Sequence, residues 1–243
     1  MKGGASRFPV TRLSVIEGVR SADAGEQERA FGVLVEAYWK PVYKYLRVKW
    51  RRDHEDAADL TQEFFLAAMT KGTFDLYDPA RARLRTFLRT CLDRFVQNRD
   101  RAVRAEKRGG AAVILSLDFE TAEGELARAE PADPASPEDY FEREWARSVL
   151  GSVVEALRAH CEERGKTAVF EVFQRHDLAA EDAVPSYRDL SDALGVPVTT
   201  ITNQLAHARR EFRRIALERL RETSGSDREF REEARSLLGT AIE

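Results

Sequence analysis

Hydrophobic positions recur at three- and four-residue intervals along most of this chain, the spacing of helices that each bury one face. Phe31, Leu34, Val35 and Tyr38 open one such stretch, and Pro41 is expected to interrupt it or to begin a new turn. Ala57, Leu60, Phe64, Ala67 and Ala68 share one face of a second helix that should stop near Gly72. Leu84, Leu88, Cys91, Leu92 and Phe95 form a third seam, closed by Gly109-Gly110, and Phe141, Trp145, Val149, Leu150, Val153 and Leu157 form a fourth. Near the start, Thr11 is expected to cap a short helix carrying Leu13, Val15 and Ile16. Alternating β-branched runs between turn residues are nearly absent. The predicted fold class is therefore all-α, with two small helical domains joined by a flexible linker.

Breaks in the pattern place the boundaries. Residues 1–27 form a lead-in, 28–108 a first domain, 109–140 a linker, 141–222 a second domain and 223–243 a C-terminal extension. Glu130 to Pro137 is Pro- and Ala-rich and should be the least structured part of the linker. The extension carries a weak amphipathic pattern at Phe230, Ala234, Leu237 and Leu238. It is expected either to regulate or to pack on the second domain.

The second domain contains a helix-turn-helix pattern. Ser186 and Asp189 have the spacing of a capping box, in which each side chain takes an amide that the helix start leaves unpaired. Leu190, Ala193 and Leu194 supply the apolar face, Gly195-Val196-Pro197 the turn, and Thr199 a cap for the next helix. There Ile201, Leu205, Ala208, Phe212 and Ile215 point one way, while Thr199, Asn203, Ala206, His207, Arg210 and Arg214 point the other. Short polar groups at the N-terminal end and cations further on suit a helix that reads base edges and grips phosphate. Asn203 has the paired amide that recognises adenine.

Charge changes the picture by its placement. The 243-residue chain is 33% charged with a net charge of −3. Pro79 to Gly110 holds ten Lys/Arg against three acids, whereas Ala111 to Trp145 holds ten acids against two cations. A basic block is thus followed by an acidic one. On the helix before them, Asp56, Asp59, Gln62 and Glu63 make an acidic stripe; alone it would be an ordinary solvated face, but its neighbours are two basic nucleic-acid-like surfaces. Cys91 and Cys161 lack ligand spacing, as do His54-Glu55-Asp56 and His160-Cys161-Glu162-Glu163. No catalytic role, cofactor or metal is expected. With no apolar run near membrane-spanning length, the expected location is the cytoplasm, away from any membrane.

These motifs together resemble the sigma-70 family of transcription initiation factors, in particular the extracytoplasmic-function type. Asp56 to Phe65 follows that family's D-A-E-D-L-T-Q-E-x-F pattern with Ala58 as the departure, and Leu84-Arg85-Thr86-Phe87-Leu88 resembles its F-x-T-W-L. Leu190 to Ile201, with Leu205, Ala208-Arg209-Arg210 and Phe212-Arg213, resembles its region four. The resemblance covers about 28–108 and 141–222 and implies a region 2 helical bundle and a region 4 helix-turn-helix. It implies docking of Asp56, Asp59, Gln62 and Glu63 on the clamp coiled coil of core RNA polymerase. It implies that the loop and basic helix around Tyr77 to Arg108 melt and hold the minus-ten promoter DNA, with Arg85, Arg89, Arg94, Arg101, Arg104, Lys107 and Arg108 as the contacts. The second domain would sit on the polymerase flap and read the minus-thirty-five element through Thr199, Thr202, Asn203, His207, Arg209, Arg210, Arg213 and Arg214. The acidic linker would thread toward the RNA exit channel. An anti-sigma factor or a Ser/Thr kinase is an implied partner, the kinase acting on Thr61. The other reading is a helix-turn-helix DNA-binding transcriptional regulator that acts without polymerase docking.

Overall fold

The computed structural model describes residues 15–105, 115–128 and 136–239, and among them every regular element is helical. In chain order these are α1 (Val15–Val19), α2 (Ala24–Val48), α3 (His54–Thr70), α4 (Leu84–Ala105), α5 (Phe119–Arg128), α6 (Pro137–Glu163), α7 (Thr167–Asp177), α8 (Tyr187–Leu194), α9 (Val198–Thr223) and α10 (Asp227–Leu238). The chain gathers into two compact units, Met1–Ser148 with Arg221–Glu243, and Val149–Leu220. Residues 141–148 and 221–222, expected in the second domain, thus belong to the first unit. Thr11 and Leu13 lie outside the described residues.

In the first unit α2 is the central element, in contact with α1, α3 and α5. Asp23 caps it by accepting from the Glu26 amide, and it continues through Pro41 to Val48. Proline costs the helix one internal hydrogen bond. Burial of Tyr38, Val42, Tyr43, Tyr45 and Leu46 around that point keeps α2 in one piece. Asp53 caps α3 through the Asp56 amide. The α3 seam of Ala57, Leu60, Phe64, Phe65 and Ala68 is buried, and so is the α4 seam of Leu84, Leu88, Leu92 and Val96. Phe31 meets Phe65 edge-on at 6.3 Å, and Phe64 meets Phe95 at 5.8 Å.

The linker expectation fails for its described part. Phe119–Arg128 is a helix, and it lies on α2. Phe119 packs at 5.5 Å from Trp39 and 5.2 Å from Tyr43. Glu123 takes Arg47 at 2.5 Å and the Tyr43 hydroxyl at 2.6 Å, while Glu125 takes Lys40 at 2.7 Å and Lys44 at 2.9 Å. The acids that read as a solvated tether match the basic face of α2. Residues 129–135 of the Pro/Ala stretch lie outside the described residues.

The C-terminal extension corrects a second expectation. Instead of joining the second domain, α10 lies in the first unit, where Phe230 and Ala234 are buried and Glu229 bonds the Leu84 amide.

The second unit has its own core. Val172, Leu190, Ile201 and Leu205 form its centre, with Tyr187, Leu194 and Val196 against them. The Ser186–Asp189 capping box forms as read, and Gly195 ends α8 at a φ of 64°, the left-handed region that glycine enters without steric cost. Thr199 does not cap α9, which begins one residue earlier at Val198, with Pro197 offering its carbonyl to Thr200.

Candidate functional site

Three surfaces were expected, and each is described within its own unit. On α3, Asp59 and Glu55 are exposed. Asp56 is paired with Arg52 at 3.2 Å, and the same guanidinium reaches Asp100 on α4 at 2.5 Å. Glu63 is paired with Arg99, and the Gln62 side-chain oxygen accepts from the Leu115 amide at 3.3 Å. The stripe that looked free of cations in its own helix therefore receives two arginines by tertiary packing. Asp59 is its open carboxylate.

Thr61 does not share that face. It is 0% exposed, and its hydroxyl donates to the Ala57 carbonyl at 2.7 Å. A kinase would have to unwind α3 to reach it, so Thr61 is a packing residue of this fold.

The cations of α4 divide sharply. Arg85 is only 6% exposed, stacks 4.5 Å from the Trp145 ring, and is paired with Glu142 and Glu233. Burial pulls its pKa down, but these two carboxylates outweigh it and hold the guanidinium charged. Arg89 lies 3.5 Å from Glu138. Neither presents the free cation expected of a DNA contact. Arg94 and Arg101 are exposed on the outer face. The side chain of Arg104, together with Lys107 and Arg108, lies outside the described residues.

Ahead of α4, the segment after α3 makes a 3-10 turn, Thr73–Leu76, with Phe74 and Tyr77 buried and Leu76 77% exposed. Arg20 secures this turn by donating to the carbonyls of Phe74 at 2.6 Å and Tyr77 at 2.7 Å. The sequence reading missed Arg20 and the exposed Leu76. A large apolar residue between two acid-flanked aromatics was the available signal for the latter.

On α9, Thr199, Thr202, Asn203, Arg210 and Arg213 are exposed. Arg209 is spoken for: it donates to both oxygens of Asp177, at 2.8 and 2.7 Å. Its hydrogen bonds to Asp177 raise its pKa, and although burial pushes Asp177 up, Arg209 and His176 bring that carboxyl below its usual value. Arg214 bonds Glu211 at 3.0 Å and Glu218 at 2.9 Å. His207 lines an open groove of about 410 Å³ with His160, Arg164, Lys166, Glu211 and Arg214. His160 and Lys166 come from the α6–α7 corner, so no reading of α9 alone would add them.

Cys91 and Cys161 are free thiols. Among the described residues, no helix is long and apolar enough to cross a membrane.

Residues 34–108, the α2–α4 part of the first unit, match the family model described as sigma-70 region 2. The described fold is all-helical, and its α2–α4 part is similar to sigma-70 region 2. The match supports a sigma-70 family sigma factor and a role in transcription initiation. Proteins of that family are non-enzymatic transcription factors whose region 2 binds core RNA polymerase and promoter DNA. Comparison with curated proteins and with solved structures gives no match.

Proposed function

We propose that this chain is a sigma factor of the extracytoplasmic-function type, which binds core RNA polymerase through the α3 ridge and directs promoter-specific initiation. The observation that carries the reading is the coincidence, inside the matched segment 34–108, of an open carboxylate ridge centred on Asp59 and outward-facing Arg94 and Arg101. Like charges kept on separate helix faces suit two partners of opposite charge, a basic coiled coil and a nucleic-acid strand.

In this reading α3 docks on the clamp coiled coil, and the turn before α4 with the outer face of α4 holds unpaired minus-ten DNA. Unstacking bases costs a few kcal/mol, which stacking and phosphate contacts return at about 1–3 kcal/mol per captured base. The second unit, on the flap, acts as a helix-turn-helix. Thr199, Thr202 and Asn203 at the start of α9 face the minus-thirty-five base edges, and Arg210 and Arg213 face phosphate. Lys166, in the groove with His160 and His207, adds positive charge on this unit.

Run-off transcription with purified core polymerase and a library of start sites tests this. Promoter-selective transcripts that depend on the added chain are expected. A chain that binds duplex DNA alone and leaves polymerase unchanged would instead be a regulator without polymerase docking.

A further inference from the structure

Three acids on α10 are turned inward onto their own unit, Glu232 and Glu233 onto cations and Glu229 onto backbone amides and a hydroxyl. Glu229, 4% exposed, accepts from the Leu84 amide at 2.9 Å, from the Gly225 amide at 2.9 Å and from the Tyr77 hydroxyl at 3.2 Å. Leu84 is the first residue of α4, so this carboxylate takes an amide that the helix cannot use and sits at the positive end of its dipole. Glu232 pairs with Arg83 at 2.9 Å, and Glu233 reaches both Arg83, at 3.3 Å, and Arg85. Arg228 donates to the Pro79 carbonyl at 2.9 Å.

The contact is built as well as charged. The bend that delivers α10 is buried at Ser224, and a Cβ on Gly225 would stand 2.3 Å from the Tyr77 hydroxyl oxygen. Phe230 is buried beneath the Arg221 guanidinium, 4.2 Å from its ring. Three carboxylates are thereby held against the α3–α4 loop and the first turn of α4. A backbone phosphate fits the same surroundings, because it too seeks orphan helix amides and arginines.

We propose that α10 is a built-in competitor of nucleic acid: while docked, it withholds the α3–α4 loop and the N-terminus of α4 from a promoter strand, and it must leave before DNA can use them. This rests on the reading of the first unit as the minus-ten surface. The two occupants exclude each other, so DNA binding and α10 docking weaken each other by the same factor. The apparent affinity of the full chain is reduced by the fraction of molecules with α10 released.

The test uses the full chain, a short randomised single-stranded oligonucleotide pool and hydrogen exchange resolved over 227–238. Saturating wild type with the pool should deprotect α10. Gly225→Leu, which cannot coexist with Tyr77 in its present place, should free α10 beforehand and tighten binding about a hundredfold, as expected if about one molecule in a hundred is open at rest. Should the leucine be accommodated without release, Glu232→Lys with Glu233→Lys turns both attractions into repulsions and is read the same way. An α10 that stays protected in DNA-saturated wild type, or a freed variant that binds no more tightly, overturns the proposal and leaves the function intact. Failure of wild type and both variants to bind the pool removes the minus-ten reading and this inference together.

Discussion

Arg209 holds Asp177 with two parallel hydrogen bonds, 2.8 Å from Nε and 2.7 Å from Nη2. A cation in the middle of a candidate recognition helix thus clamps α9 to the end of α7. Its neighbour Arg210 is exposed. Arg209→Ala should lower the stability of the second unit by about 1 kcal/mol, modest because the arginine is half-exposed. Arg210→Ala should leave urea unfolding unchanged and weaken promoter binding. Equal unfolding midpoints for the two variants would contradict the division.

Arg85 should behave as a structural residue. Arg85→Ala leaves the almost fully buried Glu233 with only the 3.3 Å contact to Arg83 and strips the Trp145 ring of its stacking partner. Breaking one side of a buried pair costs about 3–5 kcal/mol. Arg94→Ala should cost almost nothing in thermal unfolding and act on DNA affinity alone.

Charge reversal at Asp59 should weaken association with core polymerase while circular dichroism and melting stay as in wild type, because the carboxylate is exposed. Unchanged association, measured by co-purification with core enzyme, would remove α3 as the docking surface.

Thr61→Asp should destabilise the protein and not activate it. The side chain is fully buried and its hydroxyl returns to the Ala57 carbonyl, so a carboxylate there is desolvated with no partner, at a cost of about 3 kcal/mol or more. Thr61→Val, of similar shape, should melt close to wild type. A Thr61→Asp chain with wild-type melting and raised transcription would reverse this.

The α5 docking should fail in acid. The Arg47 hydrogen bond holds the Glu123 carboxyl below its ordinary value of 4.5. Glu125, though burial pushes it up, is brought down by Lys40 and Lys44. A carboxyl depressed in the folded state contributes stability above its unfolded value of about 4.5, and that contribution is lost as pH falls through the folded value. Acidification below 4.5 should therefore free Phe119 from Trp39 and shift tryptophan emission. Glu123→Gln with Glu125→Gln should show the released spectrum already at neutral pH. Identical acid profiles in the two proteins would count against it.

Local features were legible because local geometry causes them. The seams Leu60–Phe64 and Leu84–Leu88–Leu92, the Ser186–Asp189 capping box and the Gly195 turn depend on helical spacing and on φ alone, and all appear as read. Pro41 misled because burial on both sides of it outweighs one lost hydrogen bond. Residues 119–128 misled because composition counts their acids without showing that Lys40, Lys44 and Arg47 face them from α2.

The sequence by itself determined the buried seams of α2, α3, α4, α6, α8 and α9 and the two clusters of charge, since these follow from intervals of a few residues. Only the tertiary structure decided which charges remain free. Arg85 meets Glu142 and Glu233, Arg209 meets Asp177, and Glu229 meets the start of α4, across separations of 32 to 148 residues along the chain. Pairing at such range is fixed by where packed helices bring side chains together, and helical periodicity carries no record of it.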